Sequence, residues 1–388
     1  MAAWQCDRGT AGAVTVTNAR FEARAIVPTR RSRLLLACVI AAISGVFTWY
    51  QHGYLIARKS PPDSLYLWRA ANSLLDGGNP WAAQALNASP KDSSDRIVES
   101  RIRLVDPLYY PMPAVLLWVP LARMPYLIAS TCFNVFAAFL FVVAITREGL
   151  HRAWACGSVP FMVAMRFGQW SPLLTAAWVY PWLSMLLVAK PNLGLPLYAA
   201  RPTRAATLVC TLALALPSLA APWWVRNWLQ NVQNDMGHTA PHPAPVTMFA
   251  GAGVLLLLAL ARWRRPEARL LALLACLPQL PYWADQLPLM LIPRGRREMQ
   301  GMMLVTLVGF VCWAQFGRSD PDGDVIDSIR PFSIVFTYVP ALCLVLRRKN
   351  VGDLPAAFER FSVRLPSAIR GHAAGDALDE PGAKRESS

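Results

Sequence analysis

The sequence predicts an all-α fold: a polytopic transmembrane helical bundle of about ten spans, with a range of roughly eight to twelve. Three observations predict it. The 388 residues are 55% hydrophobic and only 16% charged, with a mean hydropathy of +0.32, whereas a soluble domain carries about a quarter charged residues. The 15 Trp and 32 Pro suit a bilayer, where Trp collects at the interfaces and neighbouring helices re-satisfy the backbone groups that Pro frees. The formal net charge of +15 comes from short basic clusters between apolar runs, which is the pattern of cytoplasmic loops. That distribution points away from nucleic acid as a partner.

Residues 1–33 are polar and basic, with Arg20, Arg24, Arg30, Arg31 and Arg33, and read as a cytoplasmic tail. The apolar run after them begins late and lacks a clear cleavage site, unlike a secretory signal. Residues 34–50 are the first span; His52, Tyr54 and Leu55 extend it toward the roughly 20 residues a crossing needs. The polar interval 51–112 follows, read as the first external loop. Within it Pro61-Pro62-Asp63 reads as a helix start with Asp63 as N-cap. Leu65, Trp68, Ala71 and Leu75 recur at helical spacing, so an amphipathic helix is expected on the bilayer surface. Gly77-Gly78-Asn79-Pro80 ends it. Residues 84–105 are irregular, with one short helix near 97–104.

Residues 113–120 are apolar but too short to cross, and are expected as a re-entrant or broken helix. Residues 126–146 are a full span. Segments 153–167 and 172–189 form a tight pair joined by Arg166-Phe167-Gly168-Gln169-Trp170. Lys190-Pro191-Asn192 breaks the chain, 205–221 crosses outward, and 225–243 reads as a polar external loop. Residues 246–261 cross back. Residues 270–280 and 287–292 are expected as a broken hairpin around Tyr282-Trp283-Ala284-Asp285-Gln286. Segments 302–315 and 332–346 are the last two crossings, separated by an acidic loop with Asp320, Asp322, Asp324 and Asp327. The membrane bundle therefore runs from 34 to 349, and 350–388 is a disordered cytoplasmic tail with a surface helix near 358–369. Both termini fall inside, and the basic clusters share one side.

The ordered elements Asp63, Tyr66, Ala70-Ala71, Gly78-Asn79-Pro80-Trp81 and Tyr110-Pro111-Met112-Pro113 resemble the first external loop of glycosyltransferase family 87. Gly168-Gln169 and Lys190-Pro191 fall where that family has its next two motifs, and the resemblance covers roughly residues 35–350. It implies a membrane-embedded mannosyltransferase of the GT-C class that uses a polyprenyl-phosphate sugar, works at the plasma (inner) membrane and serves cell-envelope glycolipid synthesis. The resemblance also assigns the catalytic base to Asp63. Three departures stand out. Trp81 replaces a Tyr, Met112 replaces a Pro, and Ala284-Asp285-Gln286 stands where many members carry a His near Trp283.

A lipid-phosphate donor already has a good leaving group. The enzyme must supply a base for the acceptor hydroxyl and positive charge for the departing phosphate. Asp63 suits the first role, and Arg166 and Lys190 suit the second. Gln169 suits hydrogen bonding to the sugar; Tyr66, Asn79, Trp81 and Tyr110, with Tyr109, would line the substrate; Asp285 is an acidic group at membrane depth. Each has a plainer reading: helix cap for Asp63, interfacial anchors for Arg166 and Lys190, interhelical glue for Gln169, an aromatic belt for the rings, a paired structural charge for Asp285. Asp76 and Asp106 are weaker candidate bases. The eight cysteines lack metal-site spacing, His238 and His242 are isolated, and the acidic loop lacks the ligand order of a calcium site, so no metal or other cofactor is called for. The expected function is inverting hexosyl transfer to an external lipid or glycan acceptor. A transporter or flippase of lipid-linked substrates and a catalytically silent assembly factor are the alternatives.

Overall fold

The computed structural model describes residues 29–82, 85–87, 104, 107–238, 244–278, 283–317, 325–352 and 354. The irregular stretch and short helix expected between 88 and 103, Asp106, Tyr282, His242, the acidic residues 320–324 and most of the two tails lie outside them. All regular structure among the described residues is helical.

The first helix, α1 (Arg30–Ala57), is longer than the apolar run that announces it. Its small residues Ala37, Ala41, Ser44, Gly45 and Thr48 are buried against α4 (Tyr126–Ile145). A Cβ on Gly45 would lie 2.7 Å from Val135 Cγ2, so close backbone approach selects glycine. The opposite face carries Leu35, Val39, Ile43 and Val46, each more than half exposed. Small and polar residues inside with large apolar residues outside is the arrangement of a helix solvated by lipid. The helix α11 (Arg296–Phe316) repeats it, with Thr306 and Gly309 inside and Leu304, Val308 and Val311 outside, and packs on α12 (Val325–Leu346).

Between α1 and α4 lie α2 (Asp63–Leu75) and α3 (Met112–Trp118), the latter continuing into a 3₁₀ turn, Val119–Leu121. This matches the short broken segment expected there. Two readings of α2 need correction. Pro62, not Asp63, occupies the N-cap, and Asp63 is the first helical residue. The helix is also buried on most sides from Ser64 to Asn72 rather than lying free on a surface. Trp68 Nε1 donates to the Met124 carbonyl at 3.0 Å and Asn72 Nδ2 to the Ala122 carbonyl at 2.7 Å, so α2 is pinned to the turn ahead of α4.

The expected pair 153–167 and 172–189 is divided into four pieces: a 3₁₀ helix Leu150–Gly157, α5 (Val159–Phe167), α6 (Ser171–Val179) and a 3₁₀ helix Pro181–Ala189. Pro160, Pro172 and Pro181 each sit at a helix start, where a missing N–H does no harm. Next come α7 (Pro191–Ala200), α8 (Arg204–Ala220) and α9 (Trp223–His238). The expected loop at 225–243 is therefore helical over most of its length. Trp224, Trp228 and Asn231 share one face of α9, and the long-range contacts they make are invisible in local hydropathy. The expected span 246–261 is instead a 3₁₀ helix Ala252–Arg262, after a turn with left-handed Phe249, Ala250 and Gly251. Where the broken hairpin is expected there are helix α10 (Pro266–Cys276) and a 3₁₀ helix Ala284–Leu291; 279–282 lie outside the described residues.

Among the described residues, four helices are long and apolar enough to cross a membrane: Arg30–Ala57, Tyr126–Glu148, Arg296–Phe316 and Ser328–Leu346. A fifth results if α8 and Trp223–Asn234, bent by 105° at their junction, count as one span. The remaining apolar pieces are shorter than a full crossing.

Candidate functional site

Asp63 stands at the open end of a hydrogen-bonded chain of side chains drawn from five parts of the sequence. Its Oδ2 accepts from Gln169 Nε2 and from the Tyr110 hydroxyl at 3.4 Å. Gln169 Oε1 in turn accepts from Lys190 Nζ at 2.9 Å, and the same ammonium donates to Asp285 Oδ1 at 2.6 Å. Asp63 and Tyr110 are half-buried, whereas Gln169, Lys190 and Asp285 are 4%, 6% and 1% exposed. The chain thus runs from an accessible carboxylate to a sealed ion pair.

Local structure explains the placement of each member. Asp63 opens α2, so its carboxylate sits at the positive end of a helix dipole. Ser64 beside it is hydrogen-bonded to the Tyr126 hydroxyl at 2.7 Å, and Tyr126 to His52 Nδ1 at 3.2 Å; this buried relay ties α2 to α4 and α1. Gly168 ends α5 in the left-handed region, φ +65°. A Cβ there would lie 2.6 Å from Ser64 Cβ and Oγ, so only glycine lets this turn press against α2 and put Gln169 beside Asp63. Lys190 precedes α7, at the Lys190-Pro191 break. Asp285 follows Trp283, whose backbone at φ +34° is strained for a bulky residue and turns the chain into the 3₁₀ helix that presents it.

The electrostatics follow from who touches whom. Burial raises the Asp63 carboxyl above its ordinary value; the charge of Lys190 and the hydrogen bond from Gln169 act against that without cancelling it. The direct donors to Asp63 are neutral. Gln169 is interposed between the carboxylate and the ammonium, and the ammonium is itself bonded to Asp285. A direct Lys–Asp63 bridge would hold the carboxylate ionised and weakly basic. The observed spacing leaves the Asp63 carboxyl above its ordinary value. Burial and the nearby Asp63 charge also push the Tyr110 phenol well above its ordinary value, so Tyr110 acts as a hydrogen-bond donor and not as a base.

The other sequence-predicted residues are not part of this chain. Arg166 lies in the last turn of α5, half-buried, with its guanidinium carbon 5.6 Å above the Phe167 ring and its Nε unpartnered. Tyr66 is half-buried against the core one turn along α2 from Asp63. Asn79 caps a tight turn by accepting from the Trp81 amide at 3.1 Å. Trp81 is 4% exposed, packs against Trp223 and Trp224, and donates to the Tyr110 carbonyl at 3.1 Å. Asp76 is paired with Arg123 at 2.7 Å. Sequence reasoning missed Ser64, Tyr126 and His52, which carry no motif of their own; the buried position of His52 within an apolar span was the available signal.

No protein-family model, curated protein or solved structure matches this chain.

Proposed function

We propose that this protein is a membrane-embedded glycosyltransferase that moves a hexose, mannose by the motif resemblance, from a polyprenyl phosphate to an acceptor hydroxyl with inversion. In this reading the bundle crosses the plasma membrane about ten times, with shorter broken segments counted as crossings, both termini in the cytoplasm and Asp63 on the outer face. The single observation that carries it is the convergence of Asp63, Gln169 and Lys190. They belong to three separate motif stretches, the first two 106 positions apart and the last two 21 positions apart, and they form one hydrogen-bonded unit.

Asp63 takes the proton of the acceptor hydroxyl as its oxygen attacks the anomeric carbon. The bond from that carbon to the phosphate oxygen breaks, and the phosphate leaves with the electron pair. One base and no covalent enzyme intermediate give inversion. Gln169 holds the carboxylate in place, and the Lys190–Asp285 pair holds Gln169. With the Lys190 ammonium bonded to Asp285, Arg166 is the cation assigned to the departing phosphate.

The test is incubation of membranes containing the protein with labelled polyprenyl-phosphate-mannose. The expected result is label in a new lipid or glycan product, and none with Asp63→Asn at equal protein levels. Movement of the labelled donor across proteoliposomes with no new glycosidic bond would replace this reading with transport.

A further inference from the structure

A concave feature is connected to the Asp63 chain through Trp81 and Tyr110. It is an open cleft of about 480 Å³ between the Asn79–Ala82 turn and α9, within the range of roughly 300–1,000 Å³ typical of small-ligand sites. Trp81 and Asn79 form one wall. Asn227, Gln230, Asn231 and Asn234 form the other, and their spacing of three, four and seven residues puts them on one face of α9. Asn231 is structural: its Nδ2 donates to the carbonyls of Trp81 at 3.2 Å and Leu108 at 3.4 Å. Trp228 Nε1 clamps the same segment through the Tyr109 carbonyl at 2.8 Å. Asn227, Gln230 and Asn234 have no hydrogen-bond partner among the described residues.

The chemistry of this lining is selective. The polar face of a helix lying at a membrane is ordinarily rich in Lys and Arg, yet among the described residues no charged side chain lines the cleft. A phosphate or carboxylate ligand would call for guanidinium or ammonium groups, and an acyl chain for an apolar wall. Carboxamides offer donors and acceptors together, which matches the hydroxyls of an uncharged sugar. Trp81 is two hydrogen bonds from the proposed base, through the Tyr110 carbonyl and then the Tyr110 hydroxyl.

We infer that this amide-lined cleft is the acceptor subsite and that it takes a neutral glycan chain. The inference rests on the transferase reading for the word acceptor, but the binding itself does not depend on it. The experiment titrates the purified full chain in detergent with uncharged linear tetrasaccharides of mannose, glucose and galactose and follows binding by saturation-transfer NMR. At least one should bind. Gln230→Ala combined with Asn234→Ala should weaken it about thirtyfold, the loss of two hydrogen bonds, at an unchanged melting temperature. Failure of all three sugars to bind, or equal binding by the double variant, would overturn the cleft assignment. Donor turnover separates the two ideas. Transfer with an acceptor KM unmoved by the double variant keeps the transferase and rejects the cleft; glycan binding lost in the double variant, with no transfer from the labelled donor, keeps the cleft and rejects the transferase.

Discussion

Two carboxylates in this protein, one half-buried and one buried, meet opposite fates. Asp63 is bonded to an amide and a phenol, and burial leaves it above its ordinary value. Burial would raise Glu267 as well, but Arg294 at 2.7 Å, helped by the charge of Arg265, holds it below the ordinary value. Around Glu267 the arginines are used to fasten chain segments. Arg262 donates to the Leu346 carbonyl, Arg265 to the Lys349 carbonyl and Arg269 to the Ala200 carbonyl, while Arg348 pairs with Glu298 at 2.7 Å. A carboxylate answered by arginine is a structural part. One answered by neutral donors, with its cation one residue removed, keeps its basicity. Burial and charge are common to both regions; the identity of the nearest donor separates them.

The sharpest way to break this contrast is to neutralise each carboxylate. Asp63→Asn should lower sugar transfer by about 10²–10⁴-fold, the usual contribution of a general base, with the melting temperature kept; transfer at the wild-type rate removes Asp63 from the mechanism. Lys190→Met removes the ammonium bonded to the buried Asp285 and should cost about 3–5 kcal/mol of stability. Adding Asp285→Leu should recover most of that loss but not activity, since Gln169 stays without its anchor. Thermal unfolding of both in detergent checks this, and a Lys190→Met protein that melts like wild type refutes the pairing. Gly168→Ala forces a side chain into the left-handed region and against Ser64, at about 1–3 kcal/mol, and should depress transfer more than a comparable loss of stability elsewhere.

The pH dependence is a smaller effect with a definite sign. Because the folded Asp63 carboxyl is raised, its base form is lost on acidification at a higher pH than that of an unperturbed carboxylate, so the acid limb of kcat/KM should lie above the usual carboxylate range. Its contribution to stability runs the other way, being present at low pH and lost as pH rises through the folded value. Tyr110→Phe removes a bond that favours the ionised form and should move the acid limb further upward; a limb that stays put would show that another group titrates. Smallest of all, Glu267→Gln should leave transfer unchanged and cost about 1 kcal/mol or less, because Arg294 is more than half exposed and screened.

Much of this was legible in the chain itself. Hydropathy is a local property, so α1, α4, α11 and α12 were readable where they lie, and the polarity of Asp63, Gln169, Lys190 and Asp285 in greasy surroundings marked them as residues with a task. The amide-rich helix α9 was not readable, because Trp224, Trp228 and Asn231 earn its stability from the turns at Trp81 and Leu108, far away in sequence. Pairing was equally hidden: residue types announce that Lys190 needs an anion, but not that Asp285 rather than a ligand supplies it. What the sequence by itself determined is an apolar helical chain with a few costly polar groups, since transfer free energy acts residue by residue. The tertiary structure decided which of those groups answer one another. A hydrogen bond reaches only about 3 Å, and only the packed chain brings residues a hundred positions apart within that distance.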